Sequence, residues 1–507
     1  MFDHDQLTLS QQVSAARRLR SEKTQGADEI LGLDMSQPRR PTHGGVVVLI
    51  PRGEVIRNFV YSGTLDEVAK HERLLLFSIN TGSAVDDDLR RMFGKVYPLE
   101  EYKERWPVRI QREILDVAHN RWLWSRAARE RSRLRDAEAK TFASWSKRVA
   151  KKFVSYPFAN RIGLRFLERA ERLSSRLLST TTNYEQQFKV LQPSLVFNGS
   201  HIHSRNAIQA VQAAQWLGIP TATFIFSWDN LTSQGRIMLP YDYFLVWNES
   251  LKRQLLEMYG WIKPEKVFVT GTPQFDHHFQ PKFYLDRETY CGQIGADPDR
   301  PIVLYTTGMA NHMPGEPEIV EGIADILAEY PKEVRSQLLV RIYAKDLTGR
   351  FNELRSRRQD ILFTDPLWEP KWLTPKYEDS YALVNALRHC SVGINVASTV
   401  SLELCMFDKP AINVGYNPPS VSPEQFSYAD YYEFDHYKPL IQSGAVRVAG
   451  SVNEMRSVIK RSLKHPGAGR DKRKALVDQM FGGSLDGASG LRVAEVLVNI
   501  SRNKTKI

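Results

Sequence analysis

Apolar residues in this chain fall into short unbroken runs and longer stretches with helical spacing, and the two alternate. VVVLIPRG at 46–53 is a β-branched run ended by glycine, VIRNFVYSGTLDEVAKHE follows with helical spacing, and LLLFSI at 74–79 is a second run. Strand, helix and strand in that order make a βαβ unit, whose strands are parallel and covered on both faces. The alternation resumes with SLVFNG (194–199), a helix over 204–218, TATFIF (221–226), YFLVWNE (243–249) and KVFVTG (266–271). A second series follows: PIVLYTT (301–307), a helix near 316–330, LLVRIY (338–343), ILF (361–363), a helix over 379–389, SVGIN (391–395) and PAINVG (410–415). Amphipathic helices over 452–464 and 486–500 close the chain. The pattern alone predicts two consecutive doubly wound parallel-sheet α/β domains.

The stretch from about 272 to 300 lacks this alternation, is rich in proline, and is read as the interdomain linker. The expected boundaries are a polar, poorly ordered leader over 1–43, a first domain over 44–285, a second over 286–480, and a closing helix and tail over 481–507. Between 100 and 180 the α/β pattern is interrupted by a helical insert.

Charge is concentrated in that insert. The 507-residue chain carries a formal net charge of +11, yet residues 103–176 alone hold 20 Lys and Arg against 8 Asp and Glu, so the remainder is near neutral. Trp106, Trp122, Trp124, Phe142, Trp145, Phe153, Tyr156, Phe158 and Phe166 are interleaved with those charges. A solvated helical hairpin packed on the first domain and an anionic-membrane-surface lobe both fit this pattern; nucleic acid is not expected, because no binding motif accompanies the charge. Three unclustered cysteines suggest neither a disulfide framework nor a zinc site. With no apolar signal-peptide core at the start and no run long enough to span a bilayer, the expected location is the cytoplasm, peripherally on the inner face of the cell membrane.

In doubly wound sheets ligands bind beyond the carboxyl ends of the strands, so the loops there are where chemistry is sought. VGINVASTVSLELCMFDKPAINVGY, 392–416, reads as a strand, a small-residue turn, a helix start and another strand. Backbone N–H groups and the hydroxyls of Ser398 and Thr399 suit a phosphate there. Glu403, one helical turn beyond Thr399, can reach a hydroxyl-bearing group beside it. An ordinary N-cap gives the same local pattern. LYTTGMANHMPGE, 304–316, offers Thr306, Thr307 and Gly308 in a turn where glycine permits close backbone approach. Arg341 and Lys345, in LLVRIYAKDLTGR, end the next strand and are candidate phosphate contacts; a core-edge ion pair for Arg341 and a surface position for Lys345 are the alternatives.

In the first half, FIFSWDNLTSQGR (224–236) opens a strand into Trp228, a stacking face or a packed core ring, and Asp229 and Asn230. His201 and His203 follow another strand end in NGSHIHSRN. A carboxylate or an imidazole at such a strand end can take the proton of an attacking hydroxyl, so Asp229, His201 and His203 are the candidate general bases. The first βα turn, PRGEVIRNF, lacks a GxGxxG fingerprint; its Arg52, Gly53 and Asn58 are candidates to line the first-domain side of a cleft. No DxD pair follows a strand, so no metal site is expected, and Asp86-Asp87-Asp88 reads as a helix start.

The 392–416 segment resembles the donor site of GT-B glycosyltransferases, most closely the bacterial envelope-polysaccharide and CDP-glycerol-transferase-like branches. SWDNLTSQG is similar to the SWDNLTSKG-like signature of bacterial GT-B proteins of surface-carbohydrate loci, with Gln234 in place of lysine, and MFGGSLDGASGLRVAEVL (480–497) resembles their closing segment. The resemblance spans about 44–500, outside the leader and the insert. It implies two Rossmann-like domains facing across a cleft, with diphosphate on Ser398 and Thr399 and ribose on Glu403. It implies a metal-independent glycosyltransferase moving a sugar from a nucleotide-sugar, UDP-type, to a glycan or lipid-linked acceptor in surface-polysaccharide synthesis. No cofactor beyond that co-substrate is expected. A CDP-glycerol-type glycerophosphotransferase, a non-hydrolysing UDP-GlcNAc 2-epimerase-like enzyme and a non-catalytic assembly scaffold remain the alternatives.

Overall fold

The computed structural model describes residues 44–502 apart from 103, 179–180, 203, 332–333 and 425. The expected leader, the last five residues and His203 lie outside the described residues. Fifteen strands occur in the described chain: β1 Val46–Ile50, β2 Leu74–Ser78, β3 Val96–Pro98, β4 Leu195–Asn198, β5 Thr221–Phe224, β6 Tyr243–Val246, β7 Val267–Val269, β8 Ile302–Thr306, β9 Gln337–Arg341, β10 Ile361–Thr364, β11 Trp368–Glu369, β12 Thr374–Pro375, β13 Val392–Asn395, β14 Ala411–Val414 and β15 Val446–Ala449.

They form two parallel sheets, ordered β3-β2-β1-β4-β5-β6-β7 and β10-β9-β8-β13-β14-β15, and one antiparallel hairpin of β11 and β12. The second sheet repeats the first six positions of the first, the doubly wound order in which the chain reverses direction beside its first strand. Helices on both faces bury these strands, which is why VVVLI of β1 and IVLYT of β8 are apolar almost throughout and fully buried.

Several elements depart from the sequence expectation. The helix predicted after β1 is a π-helix over Ile56–Tyr61; Ser62 and Gly63, the glycine at φ 81°, separate it from an α-helix over Thr64–His71. β3 and β15 were not predicted: the first has three residues and ends in Pro98, and the second places Arg447 outward. A charged helix over Arg470–Phe481 also lacked a usable apolar period. The segment read as a linker carries 3-10 turns over Pro273–Phe279 and Pro281–Phe283. The last helix, Ser489–Ser501, returns to the first sheet: Ser501 Oγ lies 2.6 Å from Ser194 Oγ, and Arg502 pairs with Glu72 at 2.6 Å.

The basic insert consists of helices over Trp106–Leu123, Arg126–Ala137, Phe142–Ser155 and Arg161–Leu178. A small apolar cluster of Leu115, Ala118 and Leu164 joins the first and the last of them, together with buried polar anchors. Arg112 bonds Glu171 at 2.6 Å, and Arg236 pairs with Glu168 at 2.5 Å and lies 3.0 Å from His119. Arg236 belongs to the loop after β5, so the insert rests directly on SWDNLTSQGR.

Candidate active site

Loops following β1, β4 and β5 of one sheet and β8, β9, β10 and β13 of the other border a single cleft of about 520 Å³. The lobes meet at its edge through the hairpin of β11 and β12. Gly53 N donates to Trp372 O at 2.9 Å, Thr374 Oγ1 to Asn80 Oδ1 at 2.8 Å, and Tyr61 OH to Pro375 O at 3.0 Å. Contact at Gly53 is close enough to demand glycine: a Cβ there would stand 2.3 Å from Thr374 Cα.

Glu403 borders the cleft on the short helix Val400–Met406 and is nearly buried. One carboxylate oxygen, Oε2, lies 2.7 Å from His278 Nε2. His278 comes from the segment between the sheets and packs against Phe275 and Phe407; its Nδ1 is buried and has no hydrogen-bond partner among the described residues. Sequence reasoning passed over this histidine because its segment reads as a linker. Beside it, burial pushes His277 down to about 3, so that ring is neutral near pH 7.

The turn before Glu403 is internally bonded. Ser398 N donates to Asn395 Oδ1 at 3.2 Å, and Val400 N to Ser398 Oγ at 3.2 Å. Two N–H groups of the expected anion cradle are therefore already occupied, while the side chains of Ser398 and Thr399 border the cleft. Ala397, at φ 41°, makes the bend.

Across the same wall, the Thr306 hydroxyl is buried with no hydrogen-bond partner among the described residues, and Thr307 Oγ1 accepts from Tyr343 N at 2.9 Å. Gly308 N is already committed: it donates to both oxygens of Glu316, at 3.1 and 3.0 Å. Burial raises the Glu316 carboxyl to about 7, against the pull of Arg350. Glu316 therefore braces the Thr-Thr-Gly turn from behind.

The two predicted cations are both paired. Arg341 is bound to Asp379 at 2.7 Å, and Asp379 also accepts from Trp368 Nε1 at 2.8 Å. This is the ion-pair alternative, which leaves Arg341 a weaker candidate for phosphate. Lys345 reaches across the cleft to Glu54 at 2.8 Å, and Arg52 approaches Glu54 at 2.9 Å. Burial works to raise the Glu54 carboxyl, but Lys345 and Arg52 outweigh it and hold it below the ordinary value. Arg57, the second residue of the π-helix, also borders the cleft and is held by neutral groups, Asn58 Oδ1 at 3.3 Å and Gln274 Oε1 at 3.2 Å. Arg57 and Glu54 sit in the PRGEVIRNF turn beside the residues singled out by sequence; only lobe docking distinguishes them.

Of the three candidate bases, Asp229 borders the cleft. Ser227 and Ser233 hydroxyls donate to its two oxygens, the latter at 2.6 Å. His201 is set back: its Nδ1 lies 3.1 Å from Phe224 O at the end of β5. Trp228 is only 7% exposed, with its ring 5.5 Å from His436 and 5.7 Å from Tyr437 of the other lobe. It is a packed wedge between the lobes rather than an open stacking platform. His436 borders the cleft, and burial lowers its pKa although Asp229 opposes the shift.

Among the described residues no three His, Cys, Asp or Glu side chains group as a metal site. No protein-family model and no curated protein matches the sequence. Among solved structures, a putative UDP-N-acetylglucosamine 2-epimerase from Listeria monocytogenes is similar with a TM-score of 0.51 and 13% identity, over 90% of this chain and 96% of that one. A UDP-N-acetylglucosamine 2-epimerase gives a TM-score of 0.50 at 13% identity, over 91% and 96%. A glycosyltransferase from Rickettsia africae gives 0.48 at 12% identity, over 90% and 99%. Two repeated parallel sheets facing one cleft, and the likeness to the first two structures, make this a two-domain GT-B fold of Rossmann-like halves.

Proposed function

We propose that this chain is a metal-independent glycosyltransferase that moves a sugar from a UDP-type nucleotide-sugar to a glycan or lipid-linked acceptor of a surface polysaccharide. The observation that carries the reading is Glu403: a nearly buried carboxylate bordering the cleft beside Ser398 and Thr399, with one oxygen on His278. In this reading the other oxygen accepts from the ribose hydroxyls, and the hydroxyls of Thr306, Thr307, Ser398 and Thr399 donate to the diphosphate. Arg57 supplies positive charge, joined by Lys345 if a phosphate displaces Glu54 from it.

Asp229 is assigned as the base. The acceptor hydroxyl oxygen bonds to the anomeric carbon, the carbon–oxygen bond to the diphosphate breaks, and the hydroxyl proton passes to the Asp229 carboxylate. The Ser227 and Ser233 hydroxyls hold that carboxylate in place. Closed lobes limit hydrolysis of the donor.

A second reading, the epimerase-like one, is favoured by the two similar solved structures, a UDP-N-acetylglucosamine 2-epimerase and a putative one, although a shared fold does not carry activity with it. Thermal shift against UDP, CDP, GDP and CMP separates donor classes. Incubation of the responding nucleotide-sugars without acceptor then separates reactions: interconversion of free sugar nucleotides supports the epimerase, whereas turnover only with an acceptor supports the transferase. A chain that responds to none of the four nucleotides loses both readings.

A further inference from the structure

Apolar side chains of the insert stand in solvent along two consecutive helices. On Phe142–Ser155, Phe142, Trp145, Val149 and Phe153 recur at helical spacing on one face, and all are exposed. On Arg161–Leu178 the exposed face is Ile162, Phe166, Leu173 and Leu177. Arg165, Arg169 and Arg176 are exposed on the adjoining arc of that second helix. Aromatic and aliphatic groups with arginines at their flank match the boundary between lipid headgroups and acyl chains, where the ring enters and the guanidinium stays with phosphate.

A hollow of about 90 Å³ between the first three insert helices adds to this charge. Arg121, Arg131, Arg135, Arg148 and Lys152 line it beside Trp124, and no carboxylate does. Asp116, largely buried, and Asp136, partly exposed, bind four of these five cations: Arg131 and Arg135 on Asp116, Arg148 and Lys152 on Asp136. The wall therefore keeps an excess of positive charge. No described helix is long and apolar enough to cross a membrane, so a surface-lying mode is the one these helices can support.

We propose that the insert docks the protein on an anionic phospholipid bilayer, with the Phe142–Phe153 and Ile162–Leu177 faces entering the headgroup boundary and the arginines and cationic hollow taking headgroup phosphates. The insert bears on the cleft through Ser125 Oγ, which donates to Thr232 O at 3.1 Å, and through Arg236. Docking thus holds the loop carrying Asp229 near the bilayer. This inference does not depend on the nucleotide reading.

Cosedimentation of the full chain with phosphatidylcholine vesicles, with and without about 30% phosphatidylserine, tests it. Expected is pelleting with the anionic vesicles at low salt, release as salt rises, and little pelleting with neutral ones. Phe142, Phe153 and Ile162 are each 82% exposed, so the triple Phe142→Ser, Phe153→Ser, Ile162→Ser variant should keep its melting temperature and nucleotide response while binding vesicles at least tenfold more weakly. Arg165→Glu with Arg169→Glu should weaken anionic binding by roughly fivefold or more per charge. The proposal is overturned if the wild-type chain stays in the supernatant at low salt. It is equally overturned if the folded triple variant pellets like wild type, if RNA at equal phosphate strips the protein from vesicles, or if the stripe proves to be buried in a dimer that the triple variant dissolves.

Discussion

Replacing Gly53 by alanine should pry the lobes apart without touching any group proposed to contact substrate. An ideal Cβ at Gly53 falls 2.3 Å from Thr374 Cα, 2.3 Å from Thr374 Oγ1 and 2.6 Å from Thr374 Cβ. Restoring an ordinary contact near 3.4 Å requires the hairpin to retreat by about 1 Å. That retreat stretches the 2.9 Å bond from Gly53 N to Trp372 O and the 2.8 Å bond from Thr374 Oγ1 to Asn80 Oδ1. Overpacking of this kind costs about 1–3 kcal/mol, and two weakened hydrogen bonds about 0.5–1.5 kcal/mol each, so the closed arrangement should lose roughly 2–6 kcal/mol. Because the strain lies at the lobe boundary, the lobes can relieve it by opening. Small-angle scattering should show a larger radius of gyration, and nucleotide affinity should fall about 30-fold or more if the closed cleft is the binding form. Thr374→Gly should not rescue the variant, since the Thr374 Cα itself is in the way. A Gly53→Ala protein with unchanged scattering and unchanged affinity would refute this account of the lobe contact.

Lys345→Met should leave the Glu54 carboxylate partly uncompensated in its buried position, with Arg52 still beside it, and lower stability at pH 7 by roughly 2 kcal/mol; Glu54→Gln in the same chain should recover part of that in thermal melts. Since the folded Glu54 carboxyl is held below its ordinary value of 4.5, its contribution is present above that pH and drains away as pH falls further. Acid melts of wild type should therefore show a loss in that window that Glu54→Gln lacks. Asp229→Asn should cut turnover by about 10²- to 10⁴-fold with nucleotide affinity nearly unchanged; a variant with full turnover removes Asp229 as the base.

What was legible in the sequence follows from which residues act locally. β1, β4, β8 and β13 are buried on both faces, so their apolar runs announced a parallel sheet, and the order of runs and helices announced its repetition. The 392–416 segment was readable because turn, helix start and Glu403 are contiguous. The hairpin at 368–375 was not: Trp372 and Leu373 adopt left-handed φ of 60° and 52°, and Trp372 O is bonded by Gly53 N more than three hundred residues away, which no local pattern encodes. His278 and Glu54 escaped for a related reason. Each gains its role from a partner more than a hundred residues away, Glu403 in one case and Lys345 in the other, and no local pattern encodes such a pairing. Arg341 shows the converse, since its position at a strand end was readable while its commitment to Asp379 required the tertiary structure.

Titration calorimetry of UDP into the wild-type chain and into Glu403→Ala tests the central claim most directly, with unliganded melts to establish that both are folded. A charged hydrogen-bond acceptor of ribose is worth about 1.5–3 kcal/mol, so the variant should bind roughly 10- to 150-fold more weakly while its apolar lobes stay intact. Equal affinity in a folded Glu403→Ala protein, or a wild-type chain that binds no UDP, would contradict the assignment of this carboxylate to the nucleotide.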